Sequence, residues 1–345
     1  MSRVAKPAPG GRPLRRLLPA LLLLLAGCPK PVPPPPFPTD GQCMEPLADL
    51  FGAQPFVTLA LRPLAGGTVF TPDVLAAVDQ VTARIEDEQT GRTLAVRSIT
   101  TLPLMEPGPL GARMLTMREQ MPADMAEAGH LQALLFSYDF AIGDLIDPGG
   151  SVAFLQLPTG NFPGVDLDAV VEALRPEVAE QVILALDGTP GADPALYAEV
   201  AGTGPQATGV WVAFRGEEAG SLKTPEFLVA LKGFQDRTRA LPAVAGAYSL
   251  VDDLRLTRRA VHKGDPGAAV LPPKQSEINQ LLMLFELSGN AEDFGARLAA
   301  DAQATVVRFG LAAGGPPDRD ALLRRIQQFS TEGFPAGVVA TVCPE

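Results

Sequence analysis

Histidine is scarce in this sequence: there are two, His130 and His262, and neither has a neighbour at metal-ligand spacing. Both read as surface or loop residues. No Gly-x-Ser-x-Gly elbow, phosphate-cradling glycine loop or zinc pattern is present, which removes the usual grounds for hydrolase, nucleotide-dependent or zinc chemistry. No catalytic residue, metal ligand or cofactor is assigned, and the chain reads as a non-enzyme. An apolar run of the roughly 18 residues that a membrane-spanning helix needs is also missing. Cations are in deficit, 28 Lys and Arg against 39 Asp and Glu. Five of the 28 (Arg3, Lys6, Arg12, Arg15, Arg16) lie before residue 28, so 23 remain beyond it. A surface so acidic repels phosphate backbones and excludes nucleic acid as a partner. The acidic clusters Glu86-Asp87-Glu88 and Asp252-Asp253 read as solvated helix faces.

What is present describes a folded, exported protein. Hydrophobic residues make up 46% and charged residues 19%, with mean hydropathy +0.15, and 345 residues suggest two domains at roughly 100–200 residues each. The basic start (Arg12, Arg15, Arg16), the apolar run Leu17–Leu25 and Ala26-Gly27-Cys28 form a lipoprotein signal peptide over residues 1–27, with Cys28 the lipidated residue. The competing reading is an ordinary signal peptide with a cysteine near its cleavage site. Acyl chains, at roughly 0.8 kcal/mol per methylene, would hold the protein on the membrane lipid without a spanning helix. Pro29 rather than aspartate follows Cys28, which favours the outer membrane over the inner, with the body facing the periplasm. Seven of the ten residues Pro29–Pro38 are proline, an extended polyproline spacer more readily than a ligand for a partner domain. The tether is expected over residues 28–54.

The remainder repeats itself. Arg62 aligns with Arg215 and Thr71-Pro72 with Thr224-Pro225, each 153 residues on, and Ser98 aligns with Ser249 at 151. Val57–Leu61 and Val210–Phe214 read as buried strands, Thr-Pro as a capped helix start, and Val96–Ile99 and Ala247–Leu250 as second strands. A second strand–helix–strand pattern closes each copy: Ser151–Leu157, a helix from near Asp166–Asp168, and Val182–Leu186; then Thr305–Leu311, a helix from near Asp318–Asp320, and Gly337–Val342. The expected fold class is α+β: two pseudo-repeated, ferredoxin-like (split βαβ) sheets with helices on one face. Helical inserts fall near 117–146 and 274–300, and the domains over 55–204 and 205–345.

The second copy carries a resemblance. Leu241–Leu254, Lys263–Pro273 and Ile278–Gly289, in that order, resemble the second extracytoplasmic loop of RND-superfamily exporters of the hydrophobe-exporting (MMPL) type. Val69–Leu75 with Val96–Leu102 resembles the first loop. The resemblance implies two porter domains. The family's transmembrane bundle, which couples proton flow to export, has no counterpart here: Gly202–Gln206 joins the copies directly.

Two cysteines remain, Cys43 before the first copy and Cys343 at the end of the second. An even pair in an exported protein is a disulfide candidate, the alternative being two buried thiols. The resemblance implies that they are neighbours, because both positions lie where the family's loops return to the membrane. Leu281, Leu282, Leu284 and Phe285 in the second insert are the candidate hydrophobic-ligand surface, with core packing as the rival reading. The leading expectation is a lipid-anchored, porter-like protein of the cell envelope that binds or guides a hydrophobic molecule or serves a transmembrane exporter as accessory subunit. A non-transporting interaction scaffold is the alternative. A continuous apolar cleft between the domains favours the first reading, and a tightly packed interface the second.

Overall fold

The computed structural model describes residues 43–51, 53–90, 96–108, 111–138, 141–288, 297–313 and 318–345. Cys28 and the proline spacer lie outside the described residues.

The first strand of each half forms where apolar and β-branched residues run together: β1 (Phe56–Pro63) and β6 (Pro205–Gly216). A Thr-Pro pair then starts each crossover helix. The Thr71 side chain accepts from the Val74 amide at the head of α2 (Pro72–Asp87), and Thr224 accepts from Phe227 at the head of α6 (Pro225–Arg239). The α2 stripe Leu75, Val78, Val81 and Ile85 is buried, as is the α6 stripe Phe227, Leu228, Leu231 and Phe234. The closing units match as well. In the first half, β4 (Ala153–Pro158) leads through α4 (Leu167–Val178) to β5 (Val182–Asp187). In the second, β8 (Ala304–Ala312) leads through α9 (Arg319–Thr331) to β9 (Val338–Pro344). Asp166 caps α4 and Asp318 caps α9, each accepting from the amide three residues on.

The strands make two antiparallel main sheets, ordered β4-β1-β5 and β7-β8-β6-β9, with β7 at Val244–Ser249. Leu61 lies opposite Ala153 in the first, and Phe214 opposite Thr305 in the second. The expected strand Val96–Ile99 contracts to a single bridge, Arg97 to Gln156, at the place where β7 pairs Tyr248 with Arg308. Its cause is local. The Ser98 hydroxyl accepts from the amides of Thr100 and Thr101 and turns the chain at once.

After this point the halves diverge. Ser249 caps α7 (Leu250–Val261) in a capping box with Asp252. The first half, carrying Pro103, Pro107 and Gly108 here, forms the hairpin β2 (Pro103–Gly108)–β3 (Gly111–Thr116), against which α7 packs. The inserts contribute α3 (Met125–Phe136) and α8 (Gln275–Ser288).

Helices cover both faces of each sheet, not one. The eight-residue α1 (Met44–Phe51) lies within residues 28–54, the stretch expected as tether. Although α1 precedes β1, it docks on the second sheet, where Leu47 and Phe51 pack with Trp211, Ala213 and Val306. The eight-residue α5 (Pro194–Ala201) precedes β6 yet docks on the first sheet, with Tyr197 and Val200 against Ala60, Phe154 and Ala185. Burying side chains the size of Leu47 or Phe51 contributes roughly 1.5–3 kcal/mol each. Among the described residues no helix is long and apolar enough to cross a membrane.

Candidate functional site: the charged seam between the halves

The residues singled out in the sequence are dispersed. Cys43 and Cys343 are joined as a disulfide, Cα atoms 5.9 Å apart, and both are buried. Leu281 and Leu282 sit in the second core beside Ile278, which leaves Leu284, 39% exposed, and the half-buried Phe285 as the accessible part of the proposed ligand surface. His130 and His262 are exposed. Glu86 pairs with Arg118 at 2.7 Å.

The reading of Asp252-Asp253 as a solvated face is overturned, since both are buried. They are placed by the start of α7. Ser249, ending β7, turns the chain so that the next turn of helix faces inward, and Leu250, Val251 and Leu254 enter the second core. On another side of α7, Leu256 packs on the first core together with Tyr248. The helix is thus wedged between the two cores, and its first-turn carboxylates are drawn in with it. Asp252 accepts from the Gln235 side chain at 2.7 Å and the Ser249 amide at 2.9 Å, with Arg255 3.6 Å away.

Asp253 belongs to a cluster that crosses the seam. It accepts from the Tyr248 hydroxyl and pairs with Arg297 at 3.1 Å. From the first half, Asp144 pairs with Arg97 at 2.9 Å and accepts from the Gln156 amide group at 2.5 Å, while Arg97 also donates to Gln156 at 2.8 Å. Tyr248 joins the two sets. The guanidinium carbons of Arg97 and Arg297 lie 5.0 and 4.7 Å from its ring centroid, within cation–π range. Burial, and next the charge of Asp253, push the Tyr248 hydroxyl well above the usual tyrosine range against the opposing pull of Arg297. Its hydroxyl stays protonated and remains a donor.

Backbone packing closes the seam around these charges. A Cβ on Gly143, whose φ is +83°, would stand 1.7 Å from the Ala245 carbonyl oxygen, and one on Gly246 would meet Asp144 Cβ at 2.8 Å. Only glycine lets the two chain segments lie this close. Farther along α7, Arg259 donates to the Ser137 hydroxyl at 2.5 Å and covers the Tyr138 ring at 4.9 Å, tying the helix to the C-terminal end of α3.

Chemically, this arrangement holds and aligns. It pairs each buried carboxylate with a guanidinium: Asp144 with Arg97, Asp252 with Arg255 and Asp253 with Arg297. Among the described residues no three His, Cys, Asp or Glu side chains converge as a metal site would require. An open, polar pocket of about 330 Å³ between α4 and the loop after β5 includes Asp168, whose carboxylate is engaged by Thr189 and the Gly191 amide.

Sequence reasoning missed the seam, although one signal for it was available. Arg97 and Tyr248 each immediately precede the aligned serines Ser98 and Ser249. Two large polar side chains at equivalent positions of a repeat meet if the copies face each other. Compared with protein-family models, curated proteins and solved structures, the chain matches none.

Proposed function

We propose that this chain is a lipid-anchored protein of the cell envelope built from two ferredoxin-like, porter-type domains, and that it serves as an accessory subunit or interaction scaffold of an exporter rather than as a carrier of hydrophobic molecules. The seam carries the choice between these readings. A carrier would need an apolar cleft between its domains, and the described seam is instead filled by Arg97, Asp144, Gln156, Tyr248, Asp253 and Arg297. Charges interlocked in this way, with Leu256 of α7 packed on the first core beside them, fix the relative placement of the halves and fill the described part of the seam.

The duplicated-domain reading is supported by strand order. Numbered within its own half, the second sheet runs 2-3-1-4, the order of a split βαβ sheet, and the bridge Arg97–Gln156 puts the remnant second strand of the first half beside β4 in the same way. The periplasm-facing anchor at Cys28, on the outer membrane in preference to the inner, and the kinship with RND-type exporters rest on the sequence.

Native purification of the full chain in mild detergent, with mass spectrometry of both proteins and lipids, tests the proposal. The expected result is a co-purifying membrane protein in fixed ratio and no lipid in fixed ratio beyond the anchor's own acyl chains. A bound hydrophobic molecule in fixed ratio with no protein partner would overturn it and restore the carrier reading.

A further inference from the structure

We infer that α1 is a strap over the second sheet, kept closed by the Cys43–Cys343 bond and released when a dithiol reductant opens it. This regulation is independent of the function proposed above. Three observations carry it. The bond joins the residue just before α1 to β9, so it clamps the helix at its very start. The helix is eight residues long, and helices of that length are not stable by themselves. Its hold on the sheet rests mainly on Leu47 and Phe51, four residues apart on one face, with partial help from Met44.

Beneath the strap lies an apolar strip of Trp211, Ala213, Ala304 and Val306. All are buried with α1 in place, and Trp211 is 6% exposed. The rest of the second domain does not depend on α1, because its main core lies on the other face of the sheet, where α6 and α9 pack. Each cover is joined by a short link to the first strand of the other sheet, three residues for α5 and four for α1, but α5 is held on the first sheet by Arg62 where α1 is fastened by the disulfide. In the opening step the reductant's two thiols supply two electrons and two protons and become its own disulfide. Cys43 and Cys343 leave as thiols, and α1 separates with Leu47 and Phe51 from the strip.

Trp211 is the sole tryptophan and lies directly under the strap, so its fluorescence reports the event. The full chain in detergent is compared before and after treatment with excess dithiothreitol, with two free thiols titrated at Cys43 and Cys343 to prove reduction. The expected result is a red-shifted Trp211 emission and several-fold stronger acrylamide quenching, with far-ultraviolet circular dichroism nearly unchanged. Cys343→Ser should show the same emission without reductant. Complete reduction with unaltered emission and quenching would mean that α1 stays docked without the bond and overturns the inference. Loss of the circular dichroism signal on reduction also overturns it, since the bond would then hold up the whole fold and not a strap.

Discussion

Arg97 lies over the ring of Tyr248, its guanidinium carbon 5.0 Å from the centroid, and the two residues are counterparts, each placed just before a serine that turns the chain. Of these two equivalent positions one carries a cation and the other an aromatic ring that accepts it. Identical side chains at the two places would have set two like charges, or two hydroxyls, against each other at the seam.

Breaking one half of an ion pair in this seam should be costly. Arg97→Ala leaves Asp144 buried with its guanidinium gone, and a loss of about 3–5 kcal/mol is expected in urea unfolding. The double variant Arg97→Leu with Asp144→Leu should recover much of that loss, because it removes the stranded charge. A double variant no more stable than Arg97→Ala would mean that the cost comes from packing alone.

Alkaline pH should weaken the fold. Tyr248 is held above the usual tyrosine range chiefly by burial, and so is Tyr197, whose hydroxyl donates to the Pro205 carbonyl. Above about pH 10 the unfolded chain releases these protons while the folded chain keeps them. Stability is therefore fully present below pH 10 and falls as pH rises, by about 1.4 kcal/mol per unit for each tyrosine. Denaturant titrations at pH 8 and pH 11 measure the slope. Tyr248→Phe should reduce it, and an unchanged slope in that variant would remove Tyr248 from the account.

The seam should not tolerate a single methyl group where its backbones touch. Gly143→Ala combines a left-handed backbone with a contact of 1.7 Å to the Ala245 carbonyl oxygen, and a loss of about 3 kcal/mol is expected from strain and overpacking. Gly129→Ala, in a helix with open space around its Cβ, should be neutral or slightly stabilising. Thermal unfolding of the two variants side by side gives the comparison.

Much of this was legible in the residues. The Thr-Pro helix starts and the strands Val57–Leu61 and Val210–Phe214 follow from short-range chemistry, the pairing of Cys43 with Cys343 is suggested by the even cysteine count and by the resemblance, and the structure has all of them. What escaped depends on tertiary context. Val96–Ile99 has strand-forming residues at its ends, yet the hydroxyl of Ser98 between them competes for the backbone and wins. Asp252-Asp253 looks like a solvated helix start, and becomes buried only because α7 is wedged between two cores that the sequence does not place side by side. Leu281 and Leu282 read equally well as core or as ligand surface, and only packing against Ile278 decides. The seam itself is long-range: Asp144, Tyr248 and Arg297 come together through chain separations that periodicity does not report.

Urea unfolding of two helix-cap variants tests the buried bond between Ser249 and Gln235. Ser249→Ala removes the α7 cap and also strands Gln235, to which the serine hydroxyl donates, so its cost should exceed the roughly 1 kcal/mol of an ordinary cap. Thr71→Ala, whose hydroxyl accepts from the Val74 amide, should cost about 1 kcal/mol. Equal losses for the two would argue that the Ser249–Gln235 bond contributes nothing.

The crossing of α1 onto the second sheet sets an order of events for a chain that emerges amino end first. Residue 43 appears some three hundred residues ahead of its partner, so the first half can settle while α1 still waits without a landing place. The final strand delivers both the missing edge of the second sheet and the sulfur that α1 must meet. Fastening of α1 therefore waits for β9, and until that strand is in place the helix is an unsecured leading segment.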